Sequence, residues 1–125
     1  MNEALPSILI VEDEYLPGLH LKTALGREGH AVYGPATTAQ EALEIARQNS
    51  PDLVLMDIRL AGAEDGIEAA KRIRESSEVA IIFMSGYQEQ QFKDKAMALK
   101  PLAFLVKPVL IKDIKAVIAR WRAGG

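Results

Sequence analysis

The chain has 125 residues, the size of one ordinary domain, and 49% of them are hydrophobic, which is enough to fill a single core. The formal net charge is −2 and Lys and Arg are scattered, so charge gives no reason to expect a direct nucleic-acid partner. The lack of cysteine excludes disulfides and thiolate metal sites. The start has no signal-peptide pattern, and no apolar run reaches the roughly 18 residues of a membrane helix. We therefore expect one soluble, cytoplasmic domain over residues 1–125, without a membrane partner.

Five short apolar runs, rich in Ile and Val, predict strands. They lie at about residues 7–11, 30–34, 52–57, 79–84 and 103–106. Four of them are apolar almost throughout, which is typical of strands buried on both faces of a parallel sheet. The second run, "HAVYG", is weaker and suits an edge strand.

A segment with helical periodicity follows each strand. The first is predicted to bury one face, made by Leu16, Leu19, Thr23 and Leu25. The second begins with a capping box of Thr38 and Glu41, and Asp65 caps the third. The fourth runs from about residue 88 to Pro101, and the last begins at Val109. Five β-α units in succession predict a parallel sheet with right-handed crossovers and helices on both faces.

Charged and polar residues stand where the predicted strands end. The first strand ends in Glu12 and Asp13, the third in Asp57, the fourth in Ser85 and the fifth in Lys107. In sheets of this kind ligands bind at the carboxyl ends of the strands. If strands 1, 3, 4 and 5 are neighbours, three carboxylates, a hydroxyl and an ammonium group meet in one pocket.

The three carboxylates predict a cation site. Carboxylates this close repel one another, so either their pKa values rise or a cation joins them, and oxygen ligands without His or Cys suit Mg²⁺. A carboxylate such as Asp57 can also act as a nucleophile and form an aspartyl phosphate. The phosphoryl oxygens would then be neutralised by Mg²⁺, by Lys107, and by the Ser85 hydroxyl with nearby backbone N–H groups.

Four motifs carry a resemblance to a known family. "ILIVEDE", "DLVLMDIRL" followed by "DGIEAA", "IIFMSG" and "FLVKP" occur in order and together cover essentially the whole chain. Each is weak alone, but the set resembles the two-component response-regulator receiver domains, including the chemotaxis regulators. "FMSGY" is similar to the end of strand 4, Phe-Ala-Thr-Gly-Tyr, in a subset of receivers, many of which stand alone.

The resemblance implies a fold and a reaction. The fold is α/β, a flavodoxin-like (βα)5 three-layer sandwich whose parallel five-stranded sheet has the order 2-1-3-4-5. Asp57 would receive a phosphoryl group from a histidine kinase or a histidine phosphotransfer protein. Ser85 and Lys107 would contact that group, and the bond from Lys107 to Pro108 would be cis.

The resemblance also implies a metal site and a few departures from the common pattern. Glu12, Asp13 and Asp57 would hold Mg²⁺, with the Arg59 carbonyl as a further ligand. The first strand ends in Glu-Asp rather than Asp-Asp, a variant that the family tolerates. The loop "RLAGAEDG" lacks a common Pro and has about one extra residue, which leaves its shape open.

In receivers an aromatic residue moves when phosphate binds. Phe104 on the fifth strand and Tyr87 after the fourth are both candidates for this switch, and each has the alternative of simply packing. A homodimer through the face of helix 4, strand 5 and helix 5 is a further expectation.

Other functions remain open at this point. The chain is either a stand-alone receiver or a receiver segment of a hybrid histidine kinase or longer regulator. A receiver is not an enzyme in the usual sense, since it catalyses only its own phosphorylation and dephosphorylation. An Asp-nucleophile phosphatase is a remote alternative, because Asp57 is followed by Ile58 and Arg59 rather than by the Asp-x-Asp pattern. A flavodoxin-like cofactor binder would need a phosphate-cradling loop where this chain has the acidic "EDEYLP".

Overall fold

The structure is a computed structural model that describes residues 4–124, apart from the side chain of Tyr87. Its strands are β1 (Ile8–Val11), β2 (Val32–Ala36), β3 (Leu53–Asp57), β4 (Ala80–Ser85) and β5 (Ala103–Val106). Its α-helices are α1 (Tyr15–Arg27), α2 (Ala39–Asn49), α3 (Gly66–Arg74), α4 (Lys93–Met97) and α5 (Ile111–Arg122). The strands form one parallel sheet in the order β2-β1-β3-β4-β5, which confirms the predicted fold class.

The sheet lies between two layers of helices. Alternate residues of β1 point to opposite faces, so that Leu9 packs with α2, α3 and α4 while Ile10 packs with α1 and α5. Each face has its own cluster of buried apolar side chains, as the nearly continuous apolar strands predict. Within residues 4–124, no helix has both the length and the apolar character needed to cross a bilayer.

The buried face of α1 differs from the prediction. Gly18, Leu21 and Leu25 are buried, whereas Leu16 is 74% exposed and Leu19 is also exposed. The cause is a close approach between the helix and β2, because a Cβ on Gly18 would lie 2.8 Å from Cβ of Pro35. The absence of a side chain at position 18 thus selects the face that turns inward.

β2 begins and ends two residues later than the predicted range 30–34, at Val32 and Ala36. Gly34 and Pro35 resemble a turn in the sequence, but β2 is an edge strand, where a proline without an N–H is tolerated. The pairing with β1 shifts register at this point. His30 lies before the strand, where its Nδ1 is 2.7 Å from the Pro6 carbonyl oxygen.

The fourth helical segment is shorter and less regular than predicted. A 3₁₀ helix (Tyr87–Phe92) precedes the short α4, and α5 begins at Ile111 instead of Val109. The 3₁₀ helix begins with a closed turn, in which the Glu89 N–H donates to the Gly86 carbonyl oxygen at 3.1 Å. This bond between residues three apart is the hydrogen-bond pattern of a 3₁₀ helix.

Both predicted helix caps form, although the capping box of α2 differs from its usual pattern. Asp65 accepts from the Glu68 N–H at 2.9 Å, as expected. The Thr38 hydroxyl accepts from the Glu41 N–H at 3.1 Å, but the Glu41 carboxylate accepts from the N–H of Thr37 at 2.9 Å. The return bond of the capping box therefore falls one residue early, because the Thr37 hydroxyl also donates to that carboxylate.

Candidate functional site

The ends of β1, β3 and β5 bring three of the predicted site residues into contact. β3 lies beside β1, so Asp57 follows Met56, the partner of Val11, and faces the end of β1. The Lys107 ammonium Nζ is 2.8 Å from Asp57 Oδ2 and 3.1 Å from Glu12 Oε1. Both acids are buried, Asp57 completely, so this ion pair is shielded from solvent on the side of the acids.

The predicted acids form a cluster with the donor set of a hard divalent cation. One carboxylate oxygen each from Glu12, Asp13 and Asp57 lies within 4.8 Å of the others. Asp13 is half-buried, whereas Glu12 and Asp57 are buried, so the cluster is open to solvent at Asp13. An all-oxygen set with a wet side fits Mg²⁺, which keeps several of its waters when it binds a protein.

Burial changes the acid–base behaviour of the cluster. Desolvation, together with the neighbouring Glu12 carboxylate, raises the pKa of Asp57 to about 8, and Lys107 opposes that rise. Burial by itself would lower the pKa of Lys107, but Asp57 and Glu12 together outweigh burial and raise that pKa above its ordinary value. The charged lysine, 2.8 Å away, favours the ionised carboxylate, but burial and the Glu12 carboxylate outweigh it. Additional positive charge would favour the ionised, nucleophilic form of Asp57.

Ser85 occupies the predicted position at the end of β4 and is buried. Its hydroxyl donates to the carbonyl oxygen of Gly86 at 2.9 Å, so the group is engaged with its own loop. Its carbonyl accepts from the Lys107 N–H at 2.8 Å, which fixes β4 against the start of the β5–α5 loop. The peptide bond between Lys107 and Pro108 is cis, as predicted.

The loop from β3 to α3 is held tightly against Asp57. The Arg59 N–H donates to Asp57 Oδ1 at 3.3 Å, and the Gly66 N–H donates to the Ile58 carbonyl at 2.7 Å. A Cβ on Gly66 would lie 1.9 Å from the Asp57 carbonyl oxygen, so only glycine fits there. Ala61 forms a bridge with Thr38 at the start of α2, which gives the longer loop an anchor. The role of the Arg59 carbonyl as a metal ligand stays a prediction.

Glu89 was not among the residues predicted for the site. This acid lies on the 3₁₀ helix after β4, is only 7% exposed, and accepts from the Gly86 N–H at 2.9 Å. Its other oxygen is 3.6 Å from the Arg59 guanidinium. The available signal was its position three residues after Gly86, the spacing of a capping box.

The structure describes the side chain of only one of the two candidate switch residues, Phe104. Phe104 is half-buried against the core, and the Lys93 ammonium lies 5.9 Å from the centre of its ring. The side chain of Tyr87 falls outside the described residues. The switch roles of both stay predictions.

The chain belongs to the response regulator receiver domains, since the family model of that domain matches residues 8–119. It is 34% identical over 119 residues to the transcriptional regulatory protein PdtaR of Mycobacterium tuberculosis, covering 92% of this chain and 58% of that protein. It is also 34% identical over 122 residues to sporulation initiation phosphotransferase F of Bacillus subtilis, covering 97% and 94%. Among solved structures, the signal receiver domain of a modulated diguanylate cyclase from Desulfovibrio desulfuricans superposes with a TM-score of 0.81 at 33% identity, covering 97% and 99%.

The matches differ in how much of each relative this chain spans. It spans about half the length of several curated relatives, 58% of PdtaR and 42% of the regulator PhyR, but nearly all of the Bacillus phosphotransferase. The family membership therefore rests on the receiver domain itself, and it defines the chain as a receiver domain of two-component signalling.

Proposed function

We propose that Asp57 is the residue of this receiver domain that accepts a phosphoryl group. The observation that carries the proposal is a buried carboxylate at the end of β3, 2.8 Å from a lysine ammonium and within a cluster of three acids. An Asp57 oxygen would attack phosphorus while the bond from phosphorus to an imidazole nitrogen of the donor breaks, and that nitrogen keeps the electron pair. Lys107 would stay beside the group and balance part of its charge.

Glu12, Asp13 and Asp57 would hold Mg²⁺, with the Arg59 carbonyl as a further ligand. The metal supplies positive charge that neutralises phosphoryl oxygens and favours the ionised carboxylate. Ser85 would contribute its hydroxyl after leaving the Gly86 carbonyl. Catalysis would be limited to the protein's own phosphorylation and dephosphorylation.

The partners follow from this chemistry. A histidine kinase or a histidine phosphotransfer protein in the cytoplasm would supply the phosphoryl group, and the response would pass to a second copy or to an attached output domain. Met97 and Val106 are exposed on the face of α4, β5 and α5, where a homodimer is expected. The chain would work either as a stand-alone receiver or as a receiver segment of a longer regulator or hybrid kinase.

The first prediction tests the phosphoacceptor. Incubation with acetyl phosphate and Mg²⁺ should add one phosphoryl group to the wild type by intact mass, and Asp57→Asn should abolish the addition. Asp13→Ala and excess EDTA should each suppress labelling, because both remove the metal. Asp113→Asn, which changes an exposed acid on α5, should label like the wild type. Undiminished labelling of Asp57→Asn would refute the assignment.

A further inference from the structure

Glu89 is a buried acid that the reaction described above does not use. It is only 7% exposed, and its two oxygens contact two different loops. Oε1 accepts from the Gly86 N–H at 2.9 Å, and Oε2 lies 3.6 Å from Nη2 of Arg59. One carboxylate therefore bridges the end of β4 and the loop that follows β3.

Both of these partners lie beside the phosphoacceptor. Gly86 directly follows Ser85 at the end of β4, and β4 pairs with β3 so that Met84 lies opposite Asp57. Arg59 is two residues past Asp57; its backbone N–H donates to the Asp57 carboxylate, while its guanidinium is the group that Glu89 contacts. A phosphoryl group on Asp57 adds oxygens with nearly two negative charges, and it needs N–H donors and cations at this place.

We propose that Glu89 is an internal anion that takes the place of the phosphoryl group on Gly86 and Arg59, and that phosphorylation displaces it. This inference rests on the proposed function of Asp57. The exchange replaces one carboxylate by a more highly charged group on the same two donors. Glu89 is thus a positioning residue that opposes phosphoryl binding, because its carboxylate must leave both donors first.

The exchange would also reach α4. Glu89 belongs to the 3₁₀ helix (Tyr87–Phe92) that runs directly into α4, and Phe92 packs against the core on that face of the sheet. Loss of the bond to the Gly86 N–H frees one end of this turn. The freed 3₁₀ helix would therefore change its position, and the start of α4 would move with it.

The simpler role for Glu89 is to cap the turn. In that role it accepts from the Gly86 N–H while its own N–H donates to the Gly86 carbonyl at 3.1 Å. A glutamine keeps an oxygen acceptor at the same position and loses only the charge. Glu89→Gln therefore separates the two roles, since capping alone predicts almost no effect on phosphoryl binding.

The test is the affinity of the Mg²⁺-loaded protein for beryllofluoride, a phosphoryl mimic, followed by amide chemical shifts. Glu89→Gln should bind it about three- to tenfold more tightly than the wild type, the range for one charge-assisted hydrogen bond partly screened by solvent. Glu28→Gln is the matched control. Glu28 forms an exposed ion pair with Lys115, and removal of its charge should leave the affinity for beryllofluoride unchanged. Equal or weaker binding by Glu89→Gln would overturn the proposal.

A second measurement needs only the wild type. Beryllofluoride should shift both the Gly86 amide and the Glu89 side-chain carboxyl carbon, because their hydrogen bond breaks. A Glu89 carboxyl signal that stays in place at saturation would overturn the exchange even if the variant failed to fold. Failure of the wild type to take up phosphate would instead refute the proposed function itself, whereas normal labelling with no Glu89 effect would refute the exchange alone.

Discussion

Asp57 shows how burial and charge oppose each other at one residue. Its carboxyl group is fully buried beside a second acid, which raises its pKa from 3.8 to about 8. An acid whose pKa is higher in the folded state than in the unfolded state binds its proton more tightly when folded. Its contribution to stability is therefore present below about pH 4 and is lost as the pH rises through about 8.

The second prediction follows from this pKa. Without metal, the free energy of unfolding of the wild type should fall relative to that of Asp57→Asn between about pH 4 and pH 8, and the variant should be more stable above pH 8 by about 1–3 kcal/mol. Lys107 keeps Glu12 as a partner in the variant. Urea unfolding in EDTA at several pH values measures the difference. Mg²⁺ should reduce it, and parallel pH curves for the two proteins would contradict the prediction.

The loop from β3 to α3 shows how one element positions the site. Gly66 begins α3 so close to β3 that a Cβ would lie 1.9 Å from the Asp57 carbonyl oxygen. Gly26, near the end of α1, has no heavy atom of the described residues within 4 Å of the corresponding point, apart from its chain neighbours and its own helix backbone. The two glycines therefore differ in their surroundings, although each would gain the same methyl group.

The third prediction compares these glycines. Gly66→Ala should lower the free energy of unfolding by about 2–4 kcal/mol, because the loop must move away from the strand. Gly26→Ala should raise it by about 0.5–1 kcal/mol, because alanine is the better helix former. Urea unfolding measures both. Equal effects of the two changes would mean that the close contact at Gly66 does not constrain the loop.

The effect of phosphorylation on distant surfaces of the molecule depends on which side-chain contacts the phosphoryl group displaces. The Ser85 hydroxyl now donates to the Gly86 carbonyl, and Phe104 on the neighbouring β5 is only half-buried. A hydroxyl that turns to the phosphoryl group would leave this loop, and an aromatic side chain would follow into the space. Phosphorylation can shift this equilibrium only by the difference in its affinity for the two arrangements.

The fourth prediction concerns this coupling. Ser85→Ala should keep Asp57 reactive but lose the amide shifts that beryllofluoride causes on α4, β5 and α5. Phe104→Ala and Tyr87→Ala identify the aromatic switch, since only the variant of the true switch should lose those distant shifts. Wild-type responses in all three variants would show that the coupling does not run through these side chains.

The sequence alone was sufficient for the order of the elements and for the grouping of the acids. The apolar runs predict the five strands, and strands of one parallel sheet end on the same edge. Glu12, Asp57 and Lys107 then meet if strands 1, 3, 4 and 5 are neighbours, an order that the family resemblance implies. Their signals are local, because each is a short apolar run followed by a charged residue. The contacts among the three in the structure agree with that reasoning.

Only the tertiary structure decided the features that depend on distant partners. The inward face of α1 is set by the approach of Gly18 to Pro35, and the register of β2 by its pairing with β1. The bridge from Glu89 to Arg59 joins two loops that follow different strands. Apolar periodicity and capping patterns describe a residue's near neighbours along the chain, whereas these features arise from close contacts between segments that only folding brings together.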